Sequence, residues 1–87
     1  MQRVEFTIEP FADGRPGEHV TGAVDAVRAM GVDVEIGPFG SSCEIDATIA
    51  PDVVATVVRR AFALGANHVN LDVTAVVPTE ASKGGLS

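Results

Sequence analysis

The stretch Val34–Thr48, VEIGPFGSSCEIDAT, decides how the rest of the chain is read. Its two halves alternate apolar with polar residues, and Gly37-Pro38-Phe39-Gly40-Ser41-Ser42 separates them. A period of two marks a half-buried strand, and glycine, proline and serine between two such runs mark a turn. The stretch therefore reads as a β-hairpin. Val34, Ile36, Cys43, Ile45 and Ala47 point to one side, and Glu35, Glu44, Asp46 and Thr48 to the other. The first side suits burial against helices. The second carries carboxylates and a hydroxyl, and function is expected there or at the closing turn.

Working outward, the same alternation recurs near both ends. Val4, Phe6 and Ile8 alternate with Glu5, Thr7 and Glu9, predicting a strand over Arg3–Glu9 that Pro10 ends. Val69, Leu71, Val73 and Ala75 alternate with His68, Asn70, Asp72 and Thr74, predicting a strand over His68–Val77. The hairpin strands are expected over Val32–Ile36 and Ser42–Ile49. Between these runs the spacing changes to three and four. Val20, Ala23, Val24, Val27 and Met30 form one stripe, predicting a helix from Pro16 or Glu18 to Met30 with Gly31 as its stop. Val53, Val54, Val57, Val58, Ala61 and Leu64 form a second, predicting a helix over Pro51–Leu64 stopped by Gly65. FADGRPG, residues 11–17, reads as a loop, and TEASKGGLS, residues 79–87, as a flexible polar tail.

The order is β-α-β-β-α-β. Two right-handed crossovers place both helices on one face of a four-stranded antiparallel sheet, which is the ferredoxin-like α+β sandwich, as a single domain over residues 1–78. The first and third strands then lie in the centre, with the fourth and second at the edges.

With 87 residues and 46% apolar content, the chain is near the lower size at which one core suffices, so self-association is expected. The net charge of −6 argues against nucleic acid and anionic membranes, both of which call for a basic surface. Neither a signal peptide nor a run of membrane-spanning length is legible, which points to the cytoplasm. The lone cysteine, Cys43, falls on the apolar side of its strand and reads as a buried, inert thiol.

Seven of the twelve carboxylates belong to the outward set Glu5, Glu9, Asp33, Glu35, Glu44, Asp46 and Asp72. Water, protonation or a bound cation would relieve their mutual repulsion. A solvated sheet face is the plainest account. A metal would draw on His68, Glu44, Asp46 or Asp72, but the only other histidine, His19, has no ligand spacing to it. Ser41 and Ser42 lack a nucleophile elbow, and Cys43 lacks the electropositive setting that activates a thiol. Paired carboxylates such as Glu5 and Glu44 suit acid–base work in principle. The turn, with two glycines, two hydroxyls and the aromatic Phe39, suits a small ligand or is ordinary turn chemistry.

TIEPF, VEIGPFGSSCE and DVVATVVRRAFALGANHVNLDV together resemble the YkoF-like thiamine-binding proteins, over about Val4–Val77. The most specific feature is a Gly-Pro-x-Gly-Thr turn followed after two residues by a glutamate, here Gly37-Pro38-Phe39-Gly40-Ser41 with Glu44. Serine replaces the usual threonine, Ile45 stands where glycine is common, and a tyrosine often found near Asp33 or Val34 is missing. The resemblance implies a non-enzymatic, oligomeric carrier of thiamine or its hydroxymethylpyrimidine moiety, without a cofactor. It points to Ser41, Ser42, Glu44 and Asn70 as ligand-binding residues, with Phe39 stacking or acting as a lid. The rival expectations are a small oligomeric enzyme acting on a polar metabolite, with a carboxylate pKa displaced towards neutrality, and a structural or regulatory interaction domain.

Overall fold

The computed structural model describes residues 1–10 and 17–77. The order is β1 (Gln2–Glu9), α1 (Glu18–Arg28), β2 (Glu35–Gly37), β3 (Gly40–Ile45), α2 (Ala50–Ala63) and β4 (His68–Ala75). The strands form one antiparallel sheet in the order β2-β3-β1-β4. This is the expected ferredoxin-like arrangement, with β1 and β3 central. The loop expected at residues 11–17 falls, but for Gly17, outside the described residues, as does the tail.

The core follows the two periodicities. From the sheet come Val4, Phe6, Ile8, Cys43 and Ile45; from the helices come Val20, Ala23, Val24, Val27, Ala50, Val53, Val57 and Ala61. All join one buried cluster, so the helix layer covers the apolar side of the sheet and, among the described residues, the polar side is open. Full burial of a valine from either stripe contributes roughly 1.5–3 kcal/mol, which is why these stripes rather than local propensity hold the helices. Gly31 and Gly65, at φ +86° and +106°, follow the helices in the left-handed region where a side chain would be strained. α1 stops at Arg28, two residues before the expected Met30.

Several boundaries differ from the sequence expectation, and those of β2, the turn and β3 have local reasons. β2 shrinks from five residues to Glu35–Gly37 because the Arg28 guanidinium donates to the Val34 carbonyl at 2.8 Å, so that oxygen bonds a side chain instead. Val32 and Val34 stay buried without belonging to the ladder. Ile36, expected inside, is half exposed because it lies on this short edge strand. The turn contracts to Pro38-Phe39, since Gly37 already pairs with Gly40, and Ser41 and Ser42 become strand residues. β3 ends at Ile45 because the Asp46 carboxylate accepts from the Thr48 amide and hydroxyl, each at 2.9 Å, and makes a side-chain-closed turn. Asp46, Ala47 and Thr48 therefore leave the sheet, and Ala47 is exposed rather than buried. β4 ends at Ala75, and its helix-side residues Val73 and Ala75, expected inside, are exposed.

Candidate functional site

The polar side of the sheet is organised by register. Ser42 on β3 stands opposite Glu35 on β2 and Glu5 on β1, and Glu5 stands opposite Asp72 on β4. One row across all four strands thus reads Glu35, Ser42, Glu5, Asp72. In the next row Thr7 faces Asn70. Beside Thr7, β3 has no side chain, because Gly40 occupies that place. A Cβ there would lie 2.9 Å from both the Phe6 carbonyl oxygen and Thr7 Cγ2, and the φ of +153° is strained for any other residue. This glycine lets the Pro38-Phe39 turn come down close to the sheet.

Together these features form a depression of about 380 Å³ on the open sheet face. Glu5 and Thr7 are its floor, Ser42 one wall, Asn70 and Asp72 the other, and the turn its end. Phe39, 87% exposed, is the most solvent-accessible large apolar side chain among the described residues. The lining offers two carboxylates, two hydroxyls and one amide, all unburied, with an aromatic ring at the rim. Such a set can meet a small cationic or donor-rich ligand: the carboxylates only accept, the hydroxyls do both, and the amide donates from one end and accepts at the other.

Five residues were expected to bind ligand, and the structure brings four of them to this depression. Ser42 and Asn70 present side chains from its walls, and Phe39 stands at its rim. Ser41 also borders it, but is 4% exposed and shares the core-facing side of β3 with Cys43 and Ile45, so what it offers the depression is main chain. Glu44 lies elsewhere. It borders a neighbouring hollow with Arg3, Asp33 and Glu35, and its carboxylate sits 3.5 Å from an Arg3 guanidinium nitrogen. Glu5, Thr7 and Asp72, legible as outward residues, were not singled out for the site. The missing signal was register, which makes Asp72 rather than Glu44 the close lateral partner of Glu5 within this depression.

Arg3 also lies 3.7 Å from Glu5. Its guanidinium therefore stands between two carboxylates at the margin of the depression. Half-exposed pairs at such distances are worth little, and among the described residues Asp72 has no ion pair. His68 approaches Glu9 at 3.8 Å at the far end of β1. Burial pushes the Cys43 thiol up from its ordinary value and keeps it protonated, in line with an inert cysteine. The two Thr48 hydrogen bonds, the amide's first, hold the Asp46 carboxyl below the usual aspartate range. Among the described residues, His, Cys, Asp and Glu nowhere gather in a group of three that could hold a metal ion. Nor is any described helix long and apolar enough to cross a membrane.

Comparison with known proteins rests on shape. No protein-family model matches the sequence, and no curated protein matches it. Among solved structures, the chain is similar to a candidate thiamine biosynthesis/salvage protein from Thermotoga maritima, with a TM-score of 0.67 and 22% identity over 98% of this chain and 96% of that one. It is also similar to a domain of unknown function, DUF77, from Bacillus cereus, with a TM-score of 0.64 and 22% identity over 90% of this chain and 77% of that one. A protein from Streptococcus pneumoniae follows at a TM-score of 0.55 and 17% identity, over 98% and 96%. At these identities the likeness establishes the fold.

Proposed function

We propose that this protein binds thiamine or its hydroxymethylpyrimidine moiety, without transforming it, in the depression on the open sheet face. The observation that carries the reading is the row Ser42, Glu5, Asp72 beneath the Pro38-Phe39 turn. Thiamine carries a permanent thiazolium charge and an aminopyrimidine with donors and acceptors. Asp72 and Glu5 meet the cation or the amino donor, while Ser42, Thr7 and Asn70 complete the pyrimidine's hydrogen bonds. Phe39 stacks on a ring from the rim. The resemblance in the turn sequence and the fold shared with a candidate thiamine-salvage protein both support this ligand class. Glu44, occupied by Arg3 outside the depression, has no ligand contact in this reading. The chain's net charge of −6 favours the free vitamin over its phosphates, and the protein works as a self-associating carrier in the cytoplasm.

Thermal shift and titration calorimetry with thiamine, hydroxymethylpyrimidine and thiamine phosphates test the proposal. Ligand at a hundredfold excess over its Kd adds about 2.7 kcal/mol to folding stability, which raises Tm by roughly 10 °C or more in a domain of this size. Glu5→Gln and Asp72→Asn are expected to weaken thiamine binding by about tenfold or more, and Glu44→Gln to change it little. Absence of any shift, or unchanged affinity in both pocket variants, overturns the assignment. Ligand recovered chemically altered, as read by mass spectrometry, overturns the non-enzymatic part alone.

A further inference from the structure

Among the described residues the open sheet face carries one guanidinium, that of Arg3. Glu5 follows it two positions on, on the same face of β1, and Glu44 on β3 and Thr74 on β4 stand directly opposite. Its Nε lies 3.7 Å from Glu5 and its Nη1 3.5 Å from Glu44, and no other described arginine is paired with a carboxylate. Glu44 lies outside the depression, so the guanidinium is held at the margin and acts on the lining through Glu5. Across the depression Asp72 stands directly opposite Glu5, whereas Glu35, in the same row, is separated from Glu5 by Ser42. Directly opposed residues of antiparallel strands have Cβ atoms about 4.5–5.5 Å apart, so two free carboxylates here would repel one another and converge on a small dication. Arg3 makes the two unequal.

We infer that Arg3 is a specificity-determining residue: it occupies Glu5 and leaves Asp72 as the seat of a single positive charge, so that the depression takes a monocation and turns dications away. The inference rests on the ligand reading proposed above and names the charge class that the site accepts. A cation seated between Asp72 and Glu5 has to share Glu5 with the guanidinium. Half-exposed pairs are weak, so this competition corresponds to at most about a fivefold change in binding. It weighs most on a ligand that brings a full positive charge to Glu5. Neutral hydroxymethylpyrimidine brings only an amino donor there and loses less. Arg3 thus limits the preference for thiamine over the free pyrimidine, and in the same way keeps the opposed carboxylates from closing on a divalent ion.

Calorimetry with thiamine and hydroxymethylpyrimidine at mildly alkaline pH, and thermal shift with magnesium chloride, test this on the parent, Arg3→Gln and Arg3→Lys. Arg3 is exposed, and its replacement is expected to leave the fold intact. Arg3→Gln is expected to tighten thiamine by about two- to fivefold and the neutral pyrimidine by clearly less, so that the preference between them rises. Arg3→Lys keeps the charge and is expected to hold the parent's preference to within about 1.5-fold. A merely structural role for Arg3 would move both ligands alike. Magnesium chloride at about 10 mM is expected to raise the Tm of Arg3→Gln by about 2 °C or more over sodium chloride of equal ionic strength, and to leave the parent unshifted. The double variant Arg3→Gln/Glu5→Gln should lose that gain, because Asp72 then faces no second carboxylate. An unchanged thiamine-to-pyrimidine preference in Arg3→Gln overturns the inference, as does magnesium that shifts parent and variant equally. A parent that binds neither organic ligand removes the proposed function instead, and the magnesium comparison then decides the role of Arg3 by itself.

Discussion

Replacing Gly40 with alanine isolates what the turn demands of the sequence. Two costs add at this position. The φ of +153° lies in a region essentially reserved for glycine, and holding another residue there costs about 1–3 kcal/mol. The new Cβ would also lie 2.9 Å from the Phe6 carbonyl oxygen, a backbone atom of the central strand that cannot step aside as a side-chain end can. The sum is expected near 3 kcal/mol. A domain of this length is stable by only about 4–13 kcal/mol, and each kcal/mol moves Tm by roughly 4–8 °C, so the melt should fall by more than 10 °C. Gly37→Ala is the internal control. That glycine sits in the same hairpin without a positive φ, and its added Cβ would meet only the Gly40 carbonyl oxygen at 3.3 Å. Its expected cost is below about 1 kcal/mol, offset in part by the reduced freedom of the unfolded chain. Urea denaturation monitored by circular dichroism measures both. If the two variants differ by less than about 0.5 kcal/mol, the close approach of the turn to β1 is not the constraint described.

Val24→Ala removes two methyl groups from a fully buried site between helix and sheet and is expected to cost about 2–3 kcal/mol in urea denaturation. Arg28→Met keeps the apolar stem but leaves the Val34 carbonyl without its donor, costing about 1 kcal/mol; hydrogen exchange should rise locally in β2 with little change in β1. Asp46 has a folded-state pKa below its unfolded one, so its carboxylate stabilises the fold above the ordinary aspartate value, roughly pH 4, and that contribution is lost as pH falls through the lower folded value. Asp46→Asn should therefore lower stability slightly at neutral pH and flatten the acid limb, the two curves meeting once the parent's carboxylate is protonated.

The fold was legible because the periodicities were clean. Val4-Phe6-Ile8 and Cys43-Ile45 read as strands and are buried as such, and the helical stripe from Val20 to Val27 has no strand alternative. What failed was set by contacts that sequence spacing does not encode. Val34 looks like a strand residue until the Arg28 guanidinium takes its carbonyl. Asp46 and Thr48 continue the alternation of β3 on paper, yet bond each other and end it. Ser41 and Ser42 look equivalent in a loop, but once the turn contracts to Pro38-Phe39 they become strand residues on opposite faces, and only Ser42 keeps its hydroxyl on the open side. Glu44 and Asp72 are equally outward by alternation, and only lateral register puts Asp72 beside Glu5. Periodicity gives a residue's face; position along that face depends on the pairing of strands distant in sequence.

The period of two along β4 separates ligand contact from packing. Asn70 and Asp72 line the depression, and Leu71 packs in part against the core on the helix side, although the three are consecutive and share one backbone. Asp72→Asn changes a side chain at the ligand and touches no apolar contact, so it should weaken thiamine binding and leave stability nearly as it was. Leu71→Ala changes a partly buried apolar contact and no lining group, so it should lower stability by about 1–2 kcal/mol and leave the affinity of the folded chain unchanged. Calorimetry and urea denaturation on the same two preparations read both quantities. If Leu71→Ala weakens thiamine binding as much as Asp72→Asn does, the open face of β4 is not what holds the ligand, and the assignment of the depression fails.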